Sequence, residues 1–287
     1  MFAPGNHARR VEKVFTLGAD AVILDLEDAV ALAEKPATRE TVVAALKKEA
    51  RGKGTAPRGY IRVNDISTEF CHGDVNAVVG PWLDGIVLPK VETPDQLLTI
   101  DWLLAQLERE RGLEIGAIDL IPIIETGTGV ANARAIAAAG TRARRLSFGA
   151  GDYTKDMRMN WTLGEDELAQ ARAEVVLASR VAGLEPPVDT VWIHVKDTAG
   201  CEASAVRVRD MGFQGKLCIH PDQVAPVNAV FTPTDDEIAF AKKIVAAFSE
   251  AEAAGLASIQ VDGYFVDYPI VDQAQRTLDL AAAIAQG

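Results

Sequence analysis

Glu125 and Asp152 each stand just past a short apolar run, in Ile123-Ile124-Glu125-Thr126 and Phe148-Gly149-Ala150-Gly151-Asp152. Two carboxylates carried to one mouth by adjacent strands suit a Mg2+ ion, which one or two protein carboxylates hold while water and substrate oxygens complete an octahedron. Such a site needs no nitrogen or sulfur ligand. Arg62, in Arg62-Val63-Asn64 after another apolar run, offers a planar fork for a substrate carboxylate, which metal and guanidinium together would orient and neutralise. Other apolar runs also end in charge: Asp25-Leu26-Glu27-Asp28, Pro89-Lys90-Val91-Glu92, His194 to Asp197 and His220-Pro221. Any one of these has an innocent explanation, because strands end in polar loops anyway. Their convergence is what points to a site.

Other chemistries lack a basis in the chain. Gly127 and Gly129 open a helix whose free N–H groups could receive an anion, but Gly127-x-Gly129-x-x is followed by Asn132, and no acidic residue closes the next strand as a dinucleotide site requires. There is no Walker A lysine loop and no Gly-x-Ser-x-Gly elbow. Cys71, Cys201 and Cys218 are odd in number and widely spaced, which argues against a disulfide framework or a zinc knuckle and for reduced thiols near a core. His7, His72, His194 and His220 lack zinc-ligand spacing.

The elements that must position these residues are short apolar strands alternating with helices, the signal for repeated βα units. Strands are predicted near Phe2 to Ala3, Ala21 to Leu26, Tyr60 to Val63, Gly85 to Leu88, Leu120 to Ile124, Arg145 to Phe148, Thr190 to His194 and Lys216 to His220. Helices are predicted at Arg9 to Leu17, Ala37 to Arg51, Thr68 to Val79, Pro94 to Arg111, Gly129 to Ala139, Glu165 to Ala182 and Gly200 to Met211. Eight such units in about 250 residues give an α/β fold, a (β/α)8 TIM barrel, whose active site lies at the C-terminal ends of the strands. Thr234 and Glu237 have capping-box spacing ahead of an apolar helix to Ala254 that would complete the ring. The barrel is therefore assigned to residues 1–255. Residues 256–287 form a C-terminal extension, a hairpin over Ile259 to Asp267 and a helix from about Val271. Arg51-Gly52-Lys53-Gly54-Thr55-Ala56-Pro57 reads as a mobile loop.

The chain has 287 residues, with 29 Lys and Arg against 41 Asp and Glu, a net charge of −12. Nucleic acid is excluded as a partner by that balance. No apolar stretch approaches the roughly 20 residues that span a bilayer, which excludes a membrane role, and Met1 to Arg10 carries no secretion signal. A cytoplasmic location is expected.

Several blocks together resemble the citrate lyase β-subunit-like branch of the HpcH/HpaI aldolase family. They are Phe2-Ala3-Pro4-Gly5-Asn6, Gly18 to Val30 with its Asp25-Leu26-Glu27-Asp28 core, Arg62-Val63-Asn64, Leu88-Pro89-Lys90-Val91-Glu92, Ile123 to Thr126, Phe148 to Tyr153, Gly212 to Lys216 and Ile219-His220-Pro221. The resemblance implies a Mg2+-dependent (Mn2+ as a substitute) carbon–carbon lyase acting on a CoA thioester and a 2-keto acid. It implies Glu125 and Asp152 as metal ligands, Arg62 as substrate-binding and catalytic, and Glu125, Gly149, Ala150 and Gly151 as lining the substrate. Glu27 and Asp28 would position metal-bound water. Asp267 would act as acid/base, reaching a neighbouring subunit's site on a lid formed by the extension, in a homotrimer or homohexamer. Gly151 stands where citryl-type members often carry Glu, and Gly151-Asp152-Tyr153 with Met157 is closer to malyl-type lyases. The substrate stays open among malyl-, methylmalyl-, citramalyl- and citryl-CoA. Two other functions share these residues: a metal-dependent aldolase on free hydroxy-keto acids, and a lyase subunit working with an acyl carrier protein, which the acidic charge disfavours.

Overall fold

Runs such as Val22-Ile23-Leu24 and Gly85-Ile86-Val87-Leu88 are almost wholly buried, as strands covered on both faces must be. In the computed structural model, which describes residues 1–49 and 57–286, eight parallel strands hydrogen-bond in chain order. They are β1 (Phe2–Pro4), β2 (Ala21–Asp25), β3 (Arg58–Arg62), β4 (Gly85–Leu88), β5 (Asp119–Ile124), β6 (Ser147–Phe148), β7 (Val188–Asp189) and β8 (Gly215–Lys216). The Phe2 N–H donates to Cys218 O at 2.8 Å, which ties the segment after β8 back to β1 and closes the ring. Helices Ala8–Val14, Lys35–Lys48, Cys71–Val78, Pro94–Glu110, Gly127–Ala131, Ala133–Ala137, Ala169–Val181 and Thr198–Met211 fill the connections. Of the loop expected over 51–57, only Pro57 falls within the described residues.

The barrel interior is packed, as the fold requires. Ile23, Tyr60, Val87 and Ile123 form one buried cluster with Phe2, Ala21, Ile121 and Leu217 against it. At the N-terminal end of the strands Tyr60 Oη donates to Asp119 Oδ2 (2.9 Å), and Arg145 Nη1 reaches the same oxygen at 2.7 Å. Gly85 makes this possible, since a Cβ there would lie 2.3 Å from the Tyr60 ring.

Several elements differ from expectation: the eighth strand is Gly215–Lys216 where Lys216 to His220 was expected, the single helix expected over Gly129 to Ala139 is two, and Val224–Phe231 is a helix where none was predicted. The seventh strand is Val188–Asp189 and not Thr190 to His194, because Asp189 is held inside the barrel wall by Arg172 (2.9 and 3.0 Å) and Lys216 (2.6 Å), all fully buried. An aspartate reads as a strand breaker only when its charge has no internal partner. Ala150–Asp156 is a helix where none was predicted, and it carries Asp152 in its first turn.

The chain divides into two compact units, Met1–Val227 and Asn228–Gly287. In the second, helices Asp235–Ala253 and Tyr268–Gln286 and the antiparallel hairpin of β9 (Ile259–Val261) and β10 (Tyr264–Val266) enclose Ala241, Ile244, Phe248, Val261, Val266 and Ala274. Thr234 and Glu237 form the expected capping box. Asp262 and Gly263 turn the hairpin with φ of 50° and 86°, the left-handed pair that a tight two-residue loop demands.

Candidate active site

Five strand ends, those of β2 to β6, meet at the C-terminal mouth of the barrel. Asp25, the last residue of β2, is 2% exposed and takes both arms of Arg62 from the end of β3: Nε donates to Oδ1 at 2.8 Å and Nη2 to Oδ2 at 2.6 Å. The N–H groups of Glu27 and Ala29 donate to the same carboxylate. Burial alone would raise the Asp25 pKa, but Arg62 outweighs it and holds the carboxyl below its ordinary value. Arg62 therefore sits fixed over the Phe2 ring, 5.0 Å from its centroid, with Nη1 2.9 Å from Glu27 Oε2. That approach is out of line for a hydrogen bond, and Glu27 Oε2 is a buried oxygen with no hydrogen-bond partner.

The loop bearing Glu27 is braced from below. Lys35, 4% exposed, donates to Leu26 O (3.0 Å), Glu27 O (2.6 Å) and Asn64 Oδ1 (2.6 Å). Asn64 in turn donates to Leu26 O and to Asp74, which Arg39 pairs at 2.8 Å. Each member of this buried polar network is matched, the condition under which such networks rigidify a site.

Lys90, just past β4, joins the remaining pieces. Its N–H donates to Glu125 Oε1 at 2.9 Å. Its Nζ donates to Glu27 Oε1 and, at 3.3 Å, to Asp28 Oδ2, and lies 3.4 Å from Asp152 Oδ2. Glu125 at the end of β5 and Asp152 in the first turn of Ala150–Asp156 are thus brought together around one lysine. Burial, with Glu27 and Asp152 adding to it, outweighs Arg62 and Lys90 and pushes the Glu125 carboxyl up to about 8. Burial likewise raises Glu27 despite Arg62 and Lys90. Carboxylates that the local cations leave undercompensated in a low-dielectric mouth are what a divalent cation corrects. Among the described residues no group of three or more His, Cys, Asp or Glu side chains is arranged to hold a metal. Glu125 and Asp152 could offer two carboxylates, a donor pair that suits Mg2+ with water and substrate oxygens and does not suit zinc.

The model of the HpcH/HpaI aldolase/citrate lyase family matches residues 1–221. The chain belongs to this family. It is 37% identical over 283 residues to the citrate lyase subunit beta of Leuconostoc mesenteroides subsp. cremoris, covering 99% of this chain and 92% of the relative. To the L-malyl-CoA/beta-methylmalyl-CoA lyase of Cereibacter sphaeroides it is 34% identical over 305 residues, covering 99% and 94%. Among solved structures, CitE of Mycobacterium tuberculosis in complex with magnesium, acetoacetate and coenzyme A superposes with a TM-score of 0.78 at 27% identity, covering 98% of this chain and 96% of that one.

Within this HpcH/HpaI barrel the expected residues fall as follows. Arg62, Glu27, Asp28, Glu125 and Asp152 share the mouth, linked through Asp25 and Lys90. Gly149 and Ala150 have their N–H groups bonded to Ile124 O (3.1 Å) and Thr190 Oγ1 (2.9 Å), so Gly151 carries the amide that neither bond uses. Asp267 lies in the second unit, half-buried, directly after β10, where its carbonyl accepts from the N–H groups of Ile270 and Val271. Asp25, Lys35 and Asn64 are not among the residues that the sequence alone marks as functional. Asp25 sat in a charged block whose other members drew the role, and Lys35 is a buried lysine, which no local pattern announces.

Proposed function

We propose that the chain, a carbon–carbon lyase of the HpcH/HpaI family, cleaves or forms a 3-hydroxy-3-carboxyacyl-CoA such as malyl-, citramalyl- or citryl-CoA, giving an acyl-CoA and a 2-keto acid. The observation that carries this is the meeting of buried Glu125 with Asp152 around Lys90, beside an arginine locked in place by Asp25. Glu125 and Asp152 would hold Mg2+. When bound, the ion supplies a Lewis acid for the hydroxyl and carboxylate oxygens of the substrate.

The chain's own residues supply the rest. Arg62, unable to swing because Asp25 holds both arms, presents its Nη1 edge to the carboxylate of the forming keto acid. Glu27 and Asp28 order water at the mouth and receive the ammonium of Lys90. In cleavage the hydroxyl would pass its proton to the water ordered by Glu27 and Asp28, its oxygen would become the keto C=O as the bond between C2 and C3 breaks, and the electron pair of that bond would pass into the thioester as an enolate. That enolate takes a proton on carbon, and Asp267 is the acid that delivers it; in condensation the same carboxylate is the base. Asp267 would serve the site of a neighbouring subunit, with residues 256–287 as the lid, so the active form is at least a dimer and is proposed as a homotrimer or homohexamer. No helix among the described residues is long and apolar enough to cross a membrane, and Cys71, Cys201 and Cys218 are buried free thiols, which fits a reducing compartment such as the cytoplasm.

The test is a panel assay. Purified protein with Mg2+ is given malyl-, methylmalyl-, citramalyl- and citryl-CoA and the corresponding free acids, and keto acid and CoA products are quantified. Keto acid from at least one thioester, lost with EDTA and in E125A and D152A, is expected. Turnover of the free acids alone, or full turnover in EDTA, would reject the proposal.

A further inference from the structure

We propose that Lys90 is a positioning residue of this metal site, one that fixes carboxylates from three other strand ends. The inference rests on the lyase reading above. Two independent features support it. The first is the backbone: Lys90 holds φ at 51°, in the left-handed region that a residue with a Cβ adopts only when its surroundings over-determine it. Glycine would take this conformation freely. In it the Lys90 N–H is aimed at Glu125 Oε1, 2.9 Å away, which fixes the rotation of that carboxylate.

The second feature is the side chain. A lysine serving only solubility extends its stem into water, whereas the Lys90 side chain is 25% exposed and turns its ammonium onto Glu27, Asp28 and Asp152. β4 lies next to β5 and one strand removed from both β2 and β6, so its end stands between the strand ends that carry these groups. The two features act differently on a divalent cation. The N–H orders Glu125 for it, while the ammonium is a like charge beside Asp152 that weakens its hold and meanwhile keeps Glu27 in place.

The test is calorimetric titration of Mg2+ into the full-length wild type, K90G, K90A and K90R, with kcat, KM and the melting temperature in EDTA measured in parallel. K90G and K90A both lack the ammonium; glycine takes a φ of 51° freely, whereas alanine keeps the Cβ cost that lysine bears, without the ammonium contacts that offset it. Mg2+ is expected to bind K90G about fivefold tighter than wild type, because a like charge has gone. K90A is expected to bind about tenfold more weakly than K90G, because without the ammonium contacts its backbone relaxes from that φ and turns the N–H, which alanine still has, away from Glu125 Oε1. Turnover falls about tenfold or more in both, with KM changed less, and K90R recovers part of kcat. Should K90A fail to fold, K90G against K90R still decides: tighter Mg2+ with lower kcat in K90G alone upholds the assignment. Equal Mg2+ affinity in K90G and folded K90A, or an unchanged kcat in K90G, overturns it. A wild type that takes up no Mg2+ instead overturns the lyase reading, and the assignment with it.

Discussion

Gly149 lies so close to Glu125 that a Cβ on it would come within 2.4 Å of the Glu125 Oε2 atom and 2.7 Å of the Glu125 Cβ. Its φ of −120° is ordinary, so space and not backbone freedom demands glycine here. The carboxylate at the end of β5 can pass this close to the start of the helix after β6 only because Gly149 has no side chain.

G149A should therefore fold and fail. Glu125 Cβ is not the free end of a flexible chain and cannot step aside, so the variant is expected to lose about 1–3 kcal/mol of stability by overpacking and about a hundredfold in kcat/KM by displacing the carboxylate. G151A is the stability control, because a Cβ there meets only the Trp161 ring at 3.8 Å and its melting temperature should not fall. Thermal melts and steady-state kinetics on both variants check this.

Mg2+ should stabilise the folded chain, since an ion bound by the native state alone adds about 2.7 kcal/mol at one hundred times its dissociation constant. For a chain of this size that is a rise of roughly 4–5 °C in melting temperature. E125Q keeps the shape of the side chain and removes the charge that burial strains. It should melt in EDTA no lower than wild type and show no rise with Mg2+. A rise in E125Q equal to that of wild type would assign the ion to another site.

The sequence makes the barrel legible because β2, β4 and β5 are continuous apolar runs ending in charge, and their observed bounds lie within a residue or two of those predicted. β7 was misplaced for a reason of charge: its two residues include Asp189, whose partners Arg172 and Lys216 arrive from other elements, and no local window shows them. At the mouth, residue type and spacing alone singled out Glu125, Asp152 and Arg62. Spacing could not show that the Arg62 fork is already held by Asp25, nor that a lysine would turn inward against a backbone preference. Both facts depend on side-chain direction across strands more than 20 residues apart.

The buried trio of Asp189, Arg172 and Lys216 should set the acid limit of stability. Burial alone would raise the Asp189 pKa, but Lys216 and Arg172 outweigh it and hold the carboxyl below the ordinary 3.8. A folded-state pKa that is depressed gives stability present above the unfolded value and lost as pH falls through the folded one. The melting temperature should thus be insensitive to this group from pH 7 down to about 4 and fall steeply below. D189N should lack that steep fall, yet be less stable at neutral pH by about 3–5 kcal/mol, because buried Lys216 loses its counter-charge and buried Arg172 keeps only Glu165. Calorimetric scans of both proteins against pH read out the difference.

Asp267 follows β10, in the second unit, while the carboxylates proposed for the metal belong to the first. If it is the proton donor to the thioester enolate, its removal should separate steps that the metal-site variants destroy together. D267N should retain Mg2+ binding and bind keto acid with little change, because neither needs the carboxyl. Its kcat should fall by about 100- to 10,000-fold, the range of a lost general acid. The decisive measurement is exchange of the acetyl-CoA methyl protons with deuterated water in the presence of Mg2+ and a keto acid that cannot condense. Wild type should exchange them and D267N should not, although both bind the ligands. Exchange at the wild-type rate in D267N would take the acid/base role away from this residue, and mixing D267N with E125A subunits distinguishes action across an interface. Hybrid oligomers should regain activity only if an intact Asp267 can serve the intact metal site of a neighbour.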